Sequence, residues 1–372
     1  MAYRPSIDKT LLSAVGFLTV LGLLMVYSAS SVHAADRHGD SYYFFLRQLK
    51  YAGFGFLALL GLMRVNYHFF QKPKVLKAFL IMTGAALVFV LTQPAVNGAR
   101  RWIIIGGVSI QPSEFAKLAV LIFIAWFLHA HGKTFNRPER VAAVCGVVAI
   151  FVVLIGAGPD LGQAFTLFII AAILLVMAGL AWRYIAFALA AAVVAVPLAL
   201  PHLLFNVEYR WKRIEAFLHP DKDPTGAAWQ INQSLIAVGS GGFWGLGPGD
   251  GRQKLFFLPE SSTDFIYAII CEEWGFIGAA LVVAAFLVFF YRGMKIASKS
   301  HDKFGFYLGA GITLMVTLQA FINISMVLGM LPTKGIALPF ISQGGSSLLM
   351  NLAATGILLN LSYQNKLVEA VE

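Results

Sequence analysis

Apolar residues run along this chain in blocks of about 20, the length a helix needs to cross the hydrocarbon core of a bilayer. Ten blocks are predicted as spanning helices: 11–30, 46–63, 75–93, 112–130, 141–157, 162–179, 182–201, 265–291, 306–330 and 345–364. The sixth and seventh are divided only by Gly179 and Arg183, which interrupt one long apolar stretch. Residues 202–264 break the pattern, and a connection far beyond the usual loop length is expected to carry function. The first block is too long for a signal peptide and shows no small-residue cleavage site, so it is read as an uncleaved anchor. The expected fold class is an all-α integral membrane protein of ten transmembrane helices, one polytopic domain with a large extracytoplasmic loop between helices 7 and 8.

Composition agrees with the pattern. Hydrophobic residues make up 59% of the 372 and charged residues only 12%, against about 25% charged in a soluble domain. The net charge of +10 does not point to nucleic acid, because the basic residues are scattered through short connections and form no patch. Their distribution instead orients the chain. With the N-terminus inside, 15 Lys and Arg fall on the inner segments, and 6 fall on the short outer ones: Arg37, Arg47, Lys50, Arg100, Arg101 and Lys334. By the positive-inside rule both termini are expected in the cytoplasm and the 202–264 loop outside. Cys145 and Cys271 lie in apolar blocks and imply no disulfide framework. His129 and His131 form a close pair without a third ligand nearby, so no metal site is expected there.

Ionisable groups inside a span are costly and therefore draw functional hypotheses. Glu114 and Lys117, at spacing i, i+3, share one face of the fourth span. They read either as a self-neutralising pair or as a lysine that meets an anionic substrate while the glutamate holds it. Arg100 and Arg101, beside Trp102, suit a headgroup or a phosphate. Asp160, in GPDLGQ, is a natural helix N-cap and also a cavity candidate. Glu272 and Glu273 are adjacent and cannot share a face, so one is expected to face a cavity and the other a structural partner. The stretch Gly239–Gly251 lacks the GK[ST] ending of a nucleotide loop and reads as a pliable surface loop in preference to a phosphate cradle. Asp264 sits where the long loop enters the eighth span. Ser262, Thr263 or Asp264 could cap that helix, and Asp264 could equally be an exposed carboxylate that takes a proton from a sugar hydroxyl. The residues alone leave that choice open.

Nine ordered runs carry a resemblance: VYSASS, NGARRWI, QPSEFAKL, PDLGQA, the QxxQS stretch at Gln230–Ser234, GSGGFWGLG, KLFFLPESSTDFI, EEWGFIGA and PTKGIALPFISQGGSSLL. Together they resemble the SEDS family of shape, elongation, division and sporulation proteins, which includes FtsW, RodA and SpoVE. The likeness runs from the first span to the last, and PTKG before the last span is closer to FtsW members than to RodA members. The one departure is Gln343, where the family usually has Tyr.

The resemblance implies a ten-span peptidoglycan glycosyltransferase that polymerises lipid II into glycan strands at the outer leaflet of the bacterial cytoplasmic (inner) membrane, in division or elongation. It implies a class B penicillin-binding protein (an FtsI-like transpeptidase) as partner, with other divisome or elongasome membrane proteins. It carries the family's catalytic aspartate onto Asp264 and its first-loop arginine onto Arg101. Glu114, Lys117 and Asp160 match cavity positions, and Gln233, Glu260, Glu272, Ser346 and Ser347 lie on the matched runs as further substrate-binding candidates. The undecaprenyl diphosphate leaving group calls for cations, and Arg101, Lys117, Arg210 and Lys254 are the candidates. No cofactor is certain; a divalent cation such as Mg2+ could assist at the diphosphate, although no ligand cluster demands one. Two rival functions are a lipid II flippase, which polar groups inside a helix bundle would also suit, and a non-catalytic scaffold that recruits the penicillin-binding protein.

Overall fold

The computed structural model describes residues 7–95, 99–106, 108–187, 190, 215–219, 226 and 228–369. Within them the chain forms α1 (Lys9–His38), α2 (Tyr43–Arg64), α3 (Pro73–Val90), a hairpin of β1 (Ile103–Ile105) and β2 (Val108–Ile110), α4 (Pro112–His131), α5 (Pro138–Ala157), α6 (Leu161–Met177), α7 (Trp229–Gly241), α8 (Ile266–Ser298), α9 (Lys303–Val327) and α10 (Gly345–Glu369). Seven of these are long and apolar enough to cross a membrane by length and composition. Nine of the ten predicted spans coincide with helices. The seventh, 182–201, falls mostly outside the described residues and is helical where it is seen, at 182–187 and 190.

The helix starts follow local chemistry. Proline stands in the first turn of α3, α4 and α5, where its missing N–H is one the helix could not have bonded. Asp8, Asp160 and Asp302 cap α1, α6 and α9 with side-chain oxygens. The spans α1 to α6 alternate in direction along the chain, as do α8 to α10, and contacts such as Gln111 with Ser346 and Ser262 with Gln343 bring their ends together. The ends at 38–43, 90–112, 157–161, 258–266, 327–345 therefore gather at one face of the bundle, called here the site end.

Burial separates core from rim. α4, α9 and α10 are 78%, 72% and 89% buried over their spanning windows, whereas α3 and α5 are 22% and 28% buried. A bilayer gives no hydrophobic drive between helices, so close backbone approach at small residues does the packing. A side chain at Gly356 of α10 would lie 2.6 Å from the Leu59 carbonyl of α2, and one at Gly22 of α1 would lie 2.6 Å from the Phe340 carbonyl.

Two features differ from the sequence reading. The connection at 99–111 closes into an antiparallel hairpin pairing Ile103 with Ile110 and Ile105 with Val108; three-residue strands are too short for an alternation signal. The Gly239–Gly251 stretch lies largely at the surface, with Trp244 78% exposed, but it is pinned along its backbone and not pliable. α8 is broken at Gly275 (φ 62°, ψ −161°), which frees backbone groups that cannot be left unpaired at this depth. The glycine segment supplies the partners: Leu246 and Gly247 N–H donate to the Glu272 and Glu273 carbonyls, while Phe276 and Ile277 N–H donate to Gly242 and Phe243. A side chain at Gly241 would sit 1.9 Å from the Cys271 carbonyl, and one at Gly245 would sit 2.2 Å from that of Glu273. The glycines are there to let two backbones meet.

Candidate functional site

The α4 pair is closed. Lys117 is fully buried, and its Nζ lies 2.9 Å from Glu114 Oε2 and donates to Gln319 Oε1 of α9 at 2.7 Å. Glu114 Oε1 accepts from Gln163 Nε2 at 2.8 Å, so both carboxylate oxygens are engaged. An uncompensated charge here would be severely destabilising, and four side chains from three helices prevent it. Lys117 therefore offers no free ammonium to a substrate in this arrangement.

Lys254 is equally occupied. Its Nζ lies 2.7 Å from Glu273 Oε1, donates to the Gly249 carbonyl at 2.6 Å, and donates to Ser28 Oγ of α1 at 3.0 Å. Glu272 accepts from the Arg252 and Gln253 N–H groups at 2.8 and 3.2 Å. Both acids of the pair thus hold the 241–258 segment. Glu272 also lines a groove of about 560 Å3 with Ile236, Ser240, Leu246, Asp250, Arg252 and Gln253, so one acid does face a cavity while already engaged.

Asp160 caps α6 through the Gln163 N–H at 3.4 Å and accepts from Gln111 Nε2 at 2.8 Å and Ser113 Oγ at 3.3 Å. The Arg101 guanidinium is close enough to act on its charge. Ser346 accepts from the Gln111 N–H and donates to the Ser109 carbonyl, both at 3.0 Å, which fastens the start of α10 to the hairpin. Ser347 accepts from Asn351 Nδ2. Gln233 is buried on α7; its neighbour Ser234 donates to the Val327 carbonyl. Arg210 lies outside the described residues.

Asp264 does not occupy the cap position of α8. That position is Phe265, which has no side-chain cap, and Ser262 and Thr263 donate instead to Gln343 Oε1 and Glu260 Oε2, both at 2.7 Å. The turn before it is tight: Glu260 is exposed at φ 55°, and its carbonyl accepts from the Thr263 and Phe265 N–H groups. A non-glycine residue held in that region stores local strain. Facing this turn is the 333–344 segment. The Ser342 hydroxyl donates to the Thr263 carbonyl, and the Gln343 N–H donates to the Ser262 carbonyl.

At Gly335 two groups converge. A Cβ placed there would lie 3.2 Å from Asp264 Oδ2 and 3.3 Å from Arg101 Nη1. A side chain here would crowd both groups by a few tenths of an ångström, so the glycine leaves room for carboxylate and guanidinium side by side. Arg101 Nε is buried with no hydrogen-bond partner among the described residues, a costly condition for a charged group unless an anion visits. Next in sequence, Lys334 rests over the Phe165 ring at 4.2 Å, and burial pushes its ammonium below the ordinary lysine range. Among the described residues no group of three or more His, Cys, Asp or Glu is arranged to hold a metal ion.

Sequence reasoning missed Ser28, Gln111, Gln163, Gln319 and Asn323. The last two stand in α9 as amides in an apolar run, and polar residues inside a span are a signal in their own right.

These features define an α-helical polytopic membrane protein whose irregular segments pack into the bundle at one end and build a polar site there. The chain belongs to the cell cycle protein family that groups FtsW, RodA and SpoVE, whose model matches residues 9–367. Its relatives include the probable peptidoglycan glycosyltransferase FtsW of Trichlorobacter lovleyi, 42% identical over 97% of this chain and 94% of that one. The stage V sporulation protein E of Bacillus subtilis is 41% identical over 96% of this chain and 98% of that one. Among solved structures, a chain of a peptidoglycan synthase complex that coordinates polymerization and crosslinking is 27% identical, with a TM-score of 0.78 over 96% of this chain and 98% of that one. The rod shape determining protein RodA of Thermus thermophilus shares the fold, with a TM-score of 0.69 at 24% identity over 96% of each chain.

Proposed function

We propose that this chain is a peptidoglycan glycosyltransferase that polymerises lipid II at the outer leaflet of the bacterial cytoplasmic membrane, with Asp264 as general base. The convergence of Asp264 and Arg101 on Gly335 carries this reading. The acceptor sugar's 4-hydroxyl attacks the anomeric carbon of the donor as Asp264 takes its proton. The C1–O bond to undecaprenyl diphosphate breaks, and the new C1–O4 bond forms with inversion, so an α-linked donor gives a β-linked strand. Arg101 stabilises the departing diphosphate through charge-directed hydrogen bonds. With Lys117 and Lys254 buried in ion pairs, Arg101 is the cation this mechanism relies on. Glu114, Asp160, Ser346 and Ser347 hold the site's frame, and Glu272 holds the segment that leads to it.

The orientation belongs to the same proposal: both termini cytoplasmic, the site end outside. The motive is the bias of basic residues to the other side. An introduced Asp250→Cys, in a Cys145→Ser background, should react with an impermeant maleimide in intact cells. Reaction only after permeabilisation would reverse the orientation. The partner proposed is a class B penicillin-binding protein that crosslinks the strands, by likeness to the solved synthase complex.

The decisive test is Asp264→Asn. Asn keeps the shape but cannot accept the proton, and general-base catalysis is worth about 10²–10⁴-fold. Purified Asp264→Asn protein with unchanged melting temperature should make almost no glycan from lipid II. Long strands from the folded variant would remove Asp264 from the mechanism.

A further inference from the structure

Asn323 stands fully buried on α9, one turn before the helix ends. Its Nδ2 donates to two carbonyls, that of Asp264 and that of Ile336, each at 2.7 Å. Its Oδ1 has no partner among the described residues. The amide orientation is therefore fixed by the two carbonyls, since the flipped group would set oxygen against both. One turn earlier on the same face, Gln319 Nε2 donates to the Ala337 carbonyl at 2.9 Å while its Oε1 takes the Lys117 ammonium.

The two carbonyls held by Asn323 belong to different segments. One is the backbone of the residue whose carboxylate is the proposed base. The other directly follows Gly335, the position beside which both that carboxylate and Arg101 stand. A single NH2 group thus ties the Asp264 carbonyl to the Ile336 carbonyl, next to the Ser342–Thr263 and Gln343–Ser262 bonds that join the same two segments further along. We infer that Asn323 is a positioning residue for this glycosyl transfer: it holds the Asp264 backbone against the Gly335–Ile336 segment, so that carboxylate and guanidinium present one geometry to the sugar hydroxyl and the diphosphate.

The inference rests on Asp264 being the base. Without the amide the segments stay joined at Ser342–Thr263 and Gln343–Ser262, but the Asp264 and Ile336 carbonyls lose this donor and can shift locally by a fraction of an ångström to about an ångström. A misplacement of that size can cost about 10²-fold in rate. The loss belongs to the chemical step and not to substrate capture, because Asn323 is fully buried and its NH2 is spent on the two backbone carbonyls.

The molecule contains its own control. Asn360 of α10 is also buried and also bridges segments, donating from Nδ2 to the Met63 carbonyl and accepting from the Tyr67 N–H. It does so at the opposite end of the bundle. If buried bridging amides matter only for folding, the two asparagines behave alike.

The experiment compares Asn323→Leu, Asn323→Ser and Asn360→Leu with wild type and Asp264→Asn in purified form, measuring kcat and KM for lipid II polymerisation together with melting temperature. Asn323→Leu should lose about 10- to 100-fold in kcat, with KM held within about threefold. Asn323→Ser, which keeps one donor, should fall between it and wild type. Asn360→Leu should lower the melting temperature and leave kcat near wild type. Normal kcat in folded Asn323→Leu, or equal kcat losses for Asn323→Leu and Asn360→Leu, would overturn the assignment. Should Asn323→Leu fail to fold, Asn323→Ser decides by the same kcat-against-KM split. A wild-type protein that makes no polymer denies the glycosyltransferase itself; an active wild type with inactive Asp264→Asn and fully active Asn323 variants denies only the positioning role.

Discussion

Among the described residues two lysines, Lys117 and Lys254, are buried, and they are neutralised in opposite ways. Lys117 pairs with Glu114 three residues away on the same helix, and the carboxylate's two oxygens are both taken, by Lys117 and by Gln163. Lys254 comes from the segment between α7 and α8 and pairs across nineteen positions with Glu273, with Ser28 of α1 joining both. Glu273 Oε2 has no partner among the described residues. The first pair closes the core of α4, α6 and α9 on itself. The second pins a re-entrant segment to a helix broken at Gly275. A charge pair thus serves cohesion in one region and docking in the other.

The difference explains what was legible beforehand. An i, i+3 pair in an apolar span is visible in the sequence, as are helix lengths, the N-cap at Asp160, and the candidacy of Asp264. The docking of Gly239–Gly251 was not, because its cause is a kink thirty residues on, and glycine content alone reads equally as pliancy. Lys254 was counted among the cations for a diphosphate for the same reason: its partner Glu273 is fixed by tertiary contact. The convergence at Gly335 draws on three segments, and no local pattern announces it.

The largest effect should follow Lys117→Ala. It strands Glu114 in a dry core, and breaking a buried pair costs about 3–5 kcal/mol. The double variant Glu114→Gln with Lys117→Met removes both charges and should recover most of that loss. Unfolding in detergent measures the two. A double variant no more stable than Lys117→Ala would mean the pair's role is not neutralisation.

Lys254→Ala should cost less, about 2–3 kcal/mol, because the Ser28 hydroxyl still donates to Glu273. The loss should be local: proteolysis or amide exchange in 241–258 should speed up while the α4 and α9 amides stay protected. Exchange rising equally in both regions would erase the distinction between docking and cohesion.

The smallest effect, and the sharpest on the comparison, belongs to Ser28. Its hydroxyl donates to Glu273 Oε1 at 2.6 Å and accepts from Lys254 Nζ at 3.0 Å. Ser28→Ala removes both bonds but leaves the direct ion pair at 2.7 Å, so about 1 kcal/mol is expected. In a Lys254→Ala background the same substitution acts differently. Ser28 is then the remaining side-chain donor to a buried carboxylate, and its loss leaves that charge without either partner. The cost of Ser28→Ala should therefore rise to about 2–3 kcal/mol, because an unpaired buried charge bears the full desolvation penalty. A double-mutant cycle on unfolding free energy reads this directly as a non-additive term. The matching cycle for Gln163→Ala with Lys117→Ala in the α4 core should couple in the same sense, since Gln163 holds the other oxygen of Glu114. Strict additivity of Ser28 and Lys254 would show that α1 does not share in the docking pair, and that the re-entrant segment is held to α8 alone.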